Sequence, residues 1–398
     1  MPRSLVVLFL TVFVSLIGFG IIIPLLPFYA QTFGASPTTI GLLFASFSVA
    51  QFIAAPVLGE LSDRWGRRPI LIFSLLGTVL SFALLAMAHS ITMLFIARIV
   101  DGLSGGNITT ARAYIADVTP VEDRAKRYGL IGAAFGLGFI FGPALGALFA
   151  HISYTAPIWA AAAVSAIAAL LAFLWLPEPE RHVSEGEAPP WWRALGDLMS
   201  RPGLRSILVV DLGYWFTFSV YQTTFALFGQ RRFGWDAPHI GYVLATFAAF
   251  GVMVQVSVVG RVSRALGDRG TLVAGLGLAA LGLACAALAR TVPMFIAALA
   301  PAALGMGLAS PTLLSLISTS VPRGEQGLAQ GAAGALESLG RTAGPVFGNS
   351  MLQHFGEGSA YGAGAVVLLT TMAIAATTAT ATPSAASPPS PPAPAANR

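Results

Sequence analysis

The sequence predicts an all-α polytopic membrane protein, with twelve transmembrane helices arranged as two six-helix repeats. Composition comes first. Mean hydropathy over the 398 residues is +0.76 and only 10% are charged, against about 25% in soluble domains. Second, apolar runs of about 20 residues recur, the length that crosses a ~30 Å hydrocarbon core. Third, segments of the first half reappear in the second at a near-constant offset.

The spans are placed at 4–29, 38–60, 69–89, 91–117, 126–150 and 155–176, then 206–229, 238–260, 271–289, 292–320, 327–354 and 359–380. Pro/Gly breaks and charge clusters set their limits. The first run, Ser4 to Tyr29, exceeds a signal-peptide core and is followed by no small-residue cleavage site, so it reads as a retained span. Of the 22 Lys and Arg, 16 fall in segments on the N-terminal side of the membrane and three in the opposite loops. That bias predicts a cytoplasmic (inner) membrane protein with both termini cytoplasmic. It also accounts for the net charge of +5 without nucleic acid, since the cations face anionic lipid. The single cysteine, Cys285, forms no intrachain disulfide and says little about redox compartment.

The domains expected are a bundle at 1–176, a cytoplasmic linker at 177–205, a second bundle at 206–381 and a disordered Pro/Ala-rich tail at 382–398. The linker, which contains PEPERHVSEGEAPPWW, is expected to hold a short interfacial helix near Trp191–Met199. GELSDRWGRRP at 59–69 aligns with GRVSRALGDRG at 260–270, and Gly142-Pro143-x-x-Gly146 with Gly344-Pro345-x-x-Gly348. Parallel six-span repeats predict two bundles about a central axis, with the site between them near the bilayer midplane.

That architecture is joined by particular residues. Span 1 has Gly18-x-Gly20-x-x-x-Pro24-x-x-Pro27; Gln51-x-x-x-x-Pro56 leads into GELSDRWGRRP. Span 4 has Arg98 and ends in Ile115-Ala116-Asp117; span 5 has Gly138-x-x-x-Gly142-Pro143; Arg232-Phe233-Gly234-Trp235 comes after span 7. Over 1–380 the chain resembles the major facilitator superfamily, and within it the drug/proton antiporters related to tetracycline efflux proteins. The resemblance implies a monomer that uses a proton gradient and no cofactor or metal.

The charged stretch between spans 2 and 3 (Gly59, Asp63, Arg64, Gly66, Arg67, Arg68) reads as a gate. Its arginines alone would serve topology. Its glycines suit close packing and a tight turn, and Asp63 suits the positive N-terminal end of a helix in the other half. The resemblance implies a latch that holds the outward-facing state, with Asp117 and Arg124 as partners. The second copy has Arg264 where the first has Asp63, so a weaker latch is expected there. In span 5, Gly138, Gly142 and Gly146 form a small-residue stripe suited to close helix approach, and Pro143 can bend the helix. The resemblance makes this an antiporter motif.

Ionisable groups inside hydrocarbon are functional candidates. Asp101, Asp211 and Glu337 are the candidate proton carriers. Asp101 lies three residues from Arg98 and Glu337 four from Arg341, so structural pairing is the alternative for both; for Asp211 the alternative is an interfacial cap. Arg98, which the resemblance places in the central cavity, is joined as a cavity candidate by Gln51, Asn107, Arg112, Tyr221, Gln222, Gln255 and Arg341. Arg112 could equally snorkel to headgroups. Tetracycline exporters carry acids in spans 1, 3 and 9; in this register the first two positions are Ser15 and Ser81, and Ala279–Ala284 of span 9 has none. The span-8 histidine position reads Gly251, near Gln255. All five histidines fall at span ends or loops. Tetracycline itself is therefore not the expected substrate.

The reading is a secondary transporter exporting small amphiphilic drugs by proton antiport and alternating access. The alternative is a facilitator or symporter of an organic anion or sugar. No nucleotide loop, metal cluster or nucleophile constellation points to an enzyme.

Overall fold

The computed structural model describes residues 3–119, 121–179, 191–322 and 325–377. The linker core, the tail beyond 377 and several side chains, among them those of Asn107 and Arg124, lie outside the described residues. Fourteen helices and no strand occur within them. The first half runs α1 (Arg3–Gln31), α2 (Pro37–Trp65), α3 (Arg67–Ala86), α4 (Ile91–Ser104), α5 (Asn107–Val118), α6 (Val121–Ala150) and α7 (Ala156–Trp175). After the short α8 (Trp191–Ser200) come α9 (Pro202–Phe233), α10 (Ala237–Ser257), α11 (Val259–Leu288), α12 (Val292–Thr319), α13 (Gln326–Phe355) and α14 (Ser359–Thr377). Taking α4 and α5 as one span, ten of the twelve spans are apolar enough to cross a membrane by composition alone. The other two, α9 and α13, are as long but interrupted by charges.

Three expectations need correction. Span 4 is two helices, because the chain leaves helical geometry at Gly105 (φ −71°, ψ 29°). There the backbone of α2 lies so close that a Cβ on Gly102 would meet the Phe47 carbonyl at 2.4 Å. The charged stretch is not a loop: α2 continues to Trp65 and α3 begins at Arg67, with Gly66 alone (φ +111°) making the corner. Span 9 begins earlier, with the repeat stretch folded into α11 and bent at Gly267 (φ +69°). Only glycine adopts such positive φ values without strain.

The repeat is plain in the packing. α1 lies along α6, and α9 along α13. Gly138, Gly142 and Gly146 each face α1, where a Cβ on Gly142 would meet Gly20 Cα at 2.7 Å. Gly340, Gly344 and Gly348 face α9 in the same way. In hydrocarbon, where burial of apolar surface gives helices no preference for each other over lipid, such backbone approach supplies the packing energy.

The halves meet along α2 with α13 and along α6 with α10. A Cβ on Gly41 would lie 2.5 Å from the Pro345 carbonyl oxygen, and one on Gly241 2.6 Å from that of Pro143. These contacts, and the hydrogen bonds Gln31–Gln230 (2.9 Å) and Thr38–Gln353 (3.0 Å), lie at the end opposite GELSDRWGRRP. Among the described residues no hydrogen bond or ion pair joins the halves at the GELSDRWGRRP end. The hydrogen bonds that join the halves are thus gathered at one end.

Candidate functional site: the interior charges and the gate

At the corner, Arg67 is the hub. It bonds Asp117 Oδ2 at 2.7 Å, Asp63 Oδ1 at 2.5 Å and Ser62 Oγ at 2.7 Å. Asp63 is largely exposed and remains within its own half, and Asp117 faces Arg67 rather than Asp63. Gly59 has nothing within 4 Å of where a Cβ would stand, so the expected close packing there is absent in this conformation. Arg64 pairs with Glu60 at the surface. Arg68 donates to the Phe173 carbonyl and lies over the Phe173 ring.

A residue the sequence reasoning passed over completes the corner. Glu178, just past α7, accepts the backbone N–H groups of Arg67 (2.6 Å) and Arg68 (3.0 Å). It caps the free donors and positive end of α3, and Gly66 leaves room for it, since a Cβ there would sit 2.5 Å from its carboxylate. Glu178 was hidden in a charged linker with no helix-start spacing to mark it. In the second half Arg269 likewise donates to the end of α14, at the Ala375 carbonyl (3.0 Å). There the acid is Asp268, held by the hydroxyls of Ser263 and Ser315. In the first clasp an arginine holds the acid, and in its copy two hydroxyls do.

Inside the membrane the charges fall into two groups. Arg98 and Asp101 pair at 2.9 Å, with side chains 2% and 8% exposed. Arg98 also stacks on Phe47 at 4.3 Å. They sit between α4 and its neighbours α2 and α3, enclosed within the first bundle. Gln51 bonds the Gly105 carbonyl at the helix break (3.3 Å). Arg112 is exposed.

The second group joins α9 and α13. Asp211, Trp215, Phe218 and Gln222 fall on one arc of α9, between the face touching α12 (Tyr214, whose hydroxyl bonds the Met306 carbonyl at 3.3 Å) and the face touching α13. Glu337 and Arg341 fall on the arc of α13 between its α9 contact at Gly340 and its α2 contact at Pro345. Their charged ends are 3.7 Å apart and about a third exposed. Arg341 lies over the Trp215 ring at 5.8 Å. Asp211 is 4% exposed.

Tyr221 is not in the cavity. It is 2% exposed, packed between Phe225, Phe247 and Tyr361 inside the second bundle. Gln255 is exposed on the α10 arc between Val252, which faces Gly136 of α6, and Val254, which faces Gly307 of α12. Ser15 and Ser81 are buried, bonded to the Thr11 and Ala97 carbonyls.

The chain matches the Major Facilitator Superfamily over residues 8–269 and 233–397. It belongs to that superfamily. It is 35% identical to the class C tetracycline resistance protein of Escherichia coli over 353 residues, covering 86% of this chain and 88% of that one. Multidrug resistance protein 1 of Bacillus subtilis (strain 168) is 29% identical over 352 residues, 87% and 89% of the two chains. In fold it resembles a bacterial homologue of the human lysosomal transporter Spinster in an inward-facing, occupied conformation (TM-score 0.77, 18% identity, 94% and 96% covered). The human organic anion transporter MFSD10 is a further likeness (TM-score 0.73, 24% identity, 94% and 100% covered). The superfamily is one of transporters, not enzymes. As a member, this is a multi-pass membrane protein.

Proposed function

We propose that the protein exports amphiphilic drugs from the cytoplasm by proton-coupled alternating access, as a monomer in the inner membrane with both termini cytoplasmic. Its likeness along the whole chain to tetracycline and multidrug resistance proteins carries the reading. The bundles at 1–176 and 206–381 are the moving bodies and 177–205 their tether. With the Arg/Lys-rich side cytoplasmic, the present conformation is open to the cytoplasm, ready to load. The disengaged Asp63 fits, since its latch would close in the opposite state.

The wall of the opening suits an amphiphile. On the first half, Phe19 packs between Phe47 and Phe139; on the second stand Trp215, Phe218 and the interior charges. Protons would enter from outside through an acid among Asp101, Asp211 and Glu337. The likeness to the organic anion transporter is one of fold alone and supports no metabolite.

The test is transport in liposomes holding a trapped pH dye. A panel of amphiphilic drugs, tetracycline included, should evoke proton movement down an imposed gradient. A silent panel, with uptake of a small anion or sugar instead, would overturn the export reading.

A further inference from the structure

At the end where hydrogen bonds join the halves, α6 and α10 lie side by side and run in opposite directions. α6 finishes there at Ala150 and α10 starts there at Ala237. A Cβ on Gly241 would meet the Ala147 Cβ at 2.7 Å. About one turn nearer the end stand His151 of the first half and Asp236 of the second. Both line one cleft of about 410 Å³, to which the first half also gives Ser153 and Tyr154 and the second Pro238. The halves cannot part here without separating His151 from Asp236.

Each group suits the helix end it occupies. His151 follows the last residue of α6, where free carbonyls favour a cation. Asp236 is the N-cap of α10, and its Oδ1 accepts the His239 N–H. The His239 ring meets the same oxygen at 2.6 Å. Asp236 thus has one histidine on its own helix and another across the seam. The other charged groups at this end are engaged elsewhere or stand off the cleft. Arg232 pairs with Glu357 at 2.6 Å, Arg231 donates to the Leu352 carbonyl at 3.4 Å, and the His89 ring meets the Met87 carbonyl at 2.9 Å. Arg290 precedes α12, and His354 is in the last turn of α13. α7 and α12 contain no Asp, Glu, Lys, Arg or His. Those of α1, α5, α6 and α11, with Arg205 and Asp211 of α9, lie towards the opposite end.

We propose that His151 and Asp236, with His239 beside them, form a protonation-dependent clasp between the halves: acid outside holds this end shut, and loss of the proton frees it to open. The clasp rests on the alternating-access reading and its topology, not on the substrate. Its sign follows from the charges. A protonated imidazole across the cleft attracts the carboxylate, and a neutral one does not. That attraction exists only while the halves are together, so the joined arrangement binds the proton more tightly and acid favours it. Histidine ordinarily changes charge near about pH 6.5, so the hold is full in mild acid and lost as the pH rises through that range. Asp236 and His239 are 58% and 67% exposed. The effect is therefore that of an exposed ion pair, a change of about two- to fivefold in the ratio of joined to parted molecules, weakened by salt. It biases the opening without driving it.

The test measures the separation directly in the purified full chain in phospholipid nanodiscs. Spin labels go on Met87→Cys and Leu288→Cys in a Cys285→Ser background. Both positions are exposed, at the ends of α3 and α11 on this side, one in each half. Distances are read by double electron–electron resonance from pH 5.5 to 8.5. In the chain with His151 and Asp236 intact, the ratio of short to long distances should be about two- to fivefold higher in acid than at pH 8.5. His151→Ala should lose that rise. So should Asp236→Asn, which keeps an N-cap and so separates charge from folding. His151→Arg, a permanent cation, should hold the short distance up to pH 8.5. Distances that do not respond to pH with both residues intact would overturn the inference. So would a His151→Arg variant that parts with rising pH as the intact pair does. A pH response that survives unchanged in His151→Ala and Asp236→Asn would overturn the clasp while leaving alternating access intact.

Discussion

Single residues decide what an interior charge does here. Arg98 and Asp101 are bonded to each other in a fully buried setting, and removing one partner strands the other's charge. Such a change costs about 3–5 kcal/mol, whereas replacing both with apolar groups is often neutral. Arg98→Met alone should therefore lower thermal stability severely, and Arg98→Met with Asp101→Leu should recover most of it, read by melting of the purified protein. Retained proton coupling in that double variant would place the carrier elsewhere. At the joined end, Asp236 caps α10, accepting the His239 N–H at 3.0 Å and pairing with its ring at 2.6 Å. Partial burial would raise its pKa, but the bonds from His239, with the charge of His151, outweigh that and hold it below the usual carboxylate range. The cap's contribution is thus full above the ordinary carboxylate pKa and is lost as pH falls through the depressed one. Asp236→Ala should cost about 1 kcal/mol at neutral pH, and the loss should shrink in acid. Asp236→Asn should retain the cap and show less acid sensitivity.

At the scale of elements, pairs of helices repeat with glycine at the seam. α6 against α1 and α13 against α9 use three glycines each, four residues apart. Gly142→Val would drive a side chain into Gly20 and the Ile17 carbonyl, both within 3 Å of the added Cβ. The expected result is a strong drop in folded yield and melting temperature. The matching substitution at exposed Gly132, which has nothing within 4 Å, should be mild. Equal tolerance at both sites would mean that α1 and α6 are not so closely packed in the membrane.

For the whole molecule, alternating access requires that the joined end open. Gln31 and Gln230 join the halves there through one hydrogen bond. With Cys285 replaced by Ser, cysteines at 31 and 230 bridged by a short bis-maleimide should stop transport, while each single cysteine variant should remain active after the same treatment. Undiminished transport in the bridged protein would show that these helix ends need not part.

Much of this was written in the sequence. Length and hydropathy demand membrane spans, because a hydrocarbon core leaves a helix as the economical way to satisfy each backbone group. The repeated glycine-proline pattern marked the seams, and the scarce charges marked the interior candidates. Which of those charges matter was decided only by tertiary structure. Arg98 read as a cavity residue and Asp101 as a proton carrier or its structural partner until α2 and α3 enclosed the pair, and Tyr221 read as a cavity residue until its ring joined a buried aromatic cluster. Asp211 and Glu337 are 126 positions apart, and only the pairing of α9 with α13 brings them to one depth. Gly66 turned a supposed loop into a one-residue corner that Glu178 caps. Spacing along a chain fixes neighbours on one helix; charges on different helices acquire partners only when the bundles pack, so the balance of charge at the site belongs to the fold.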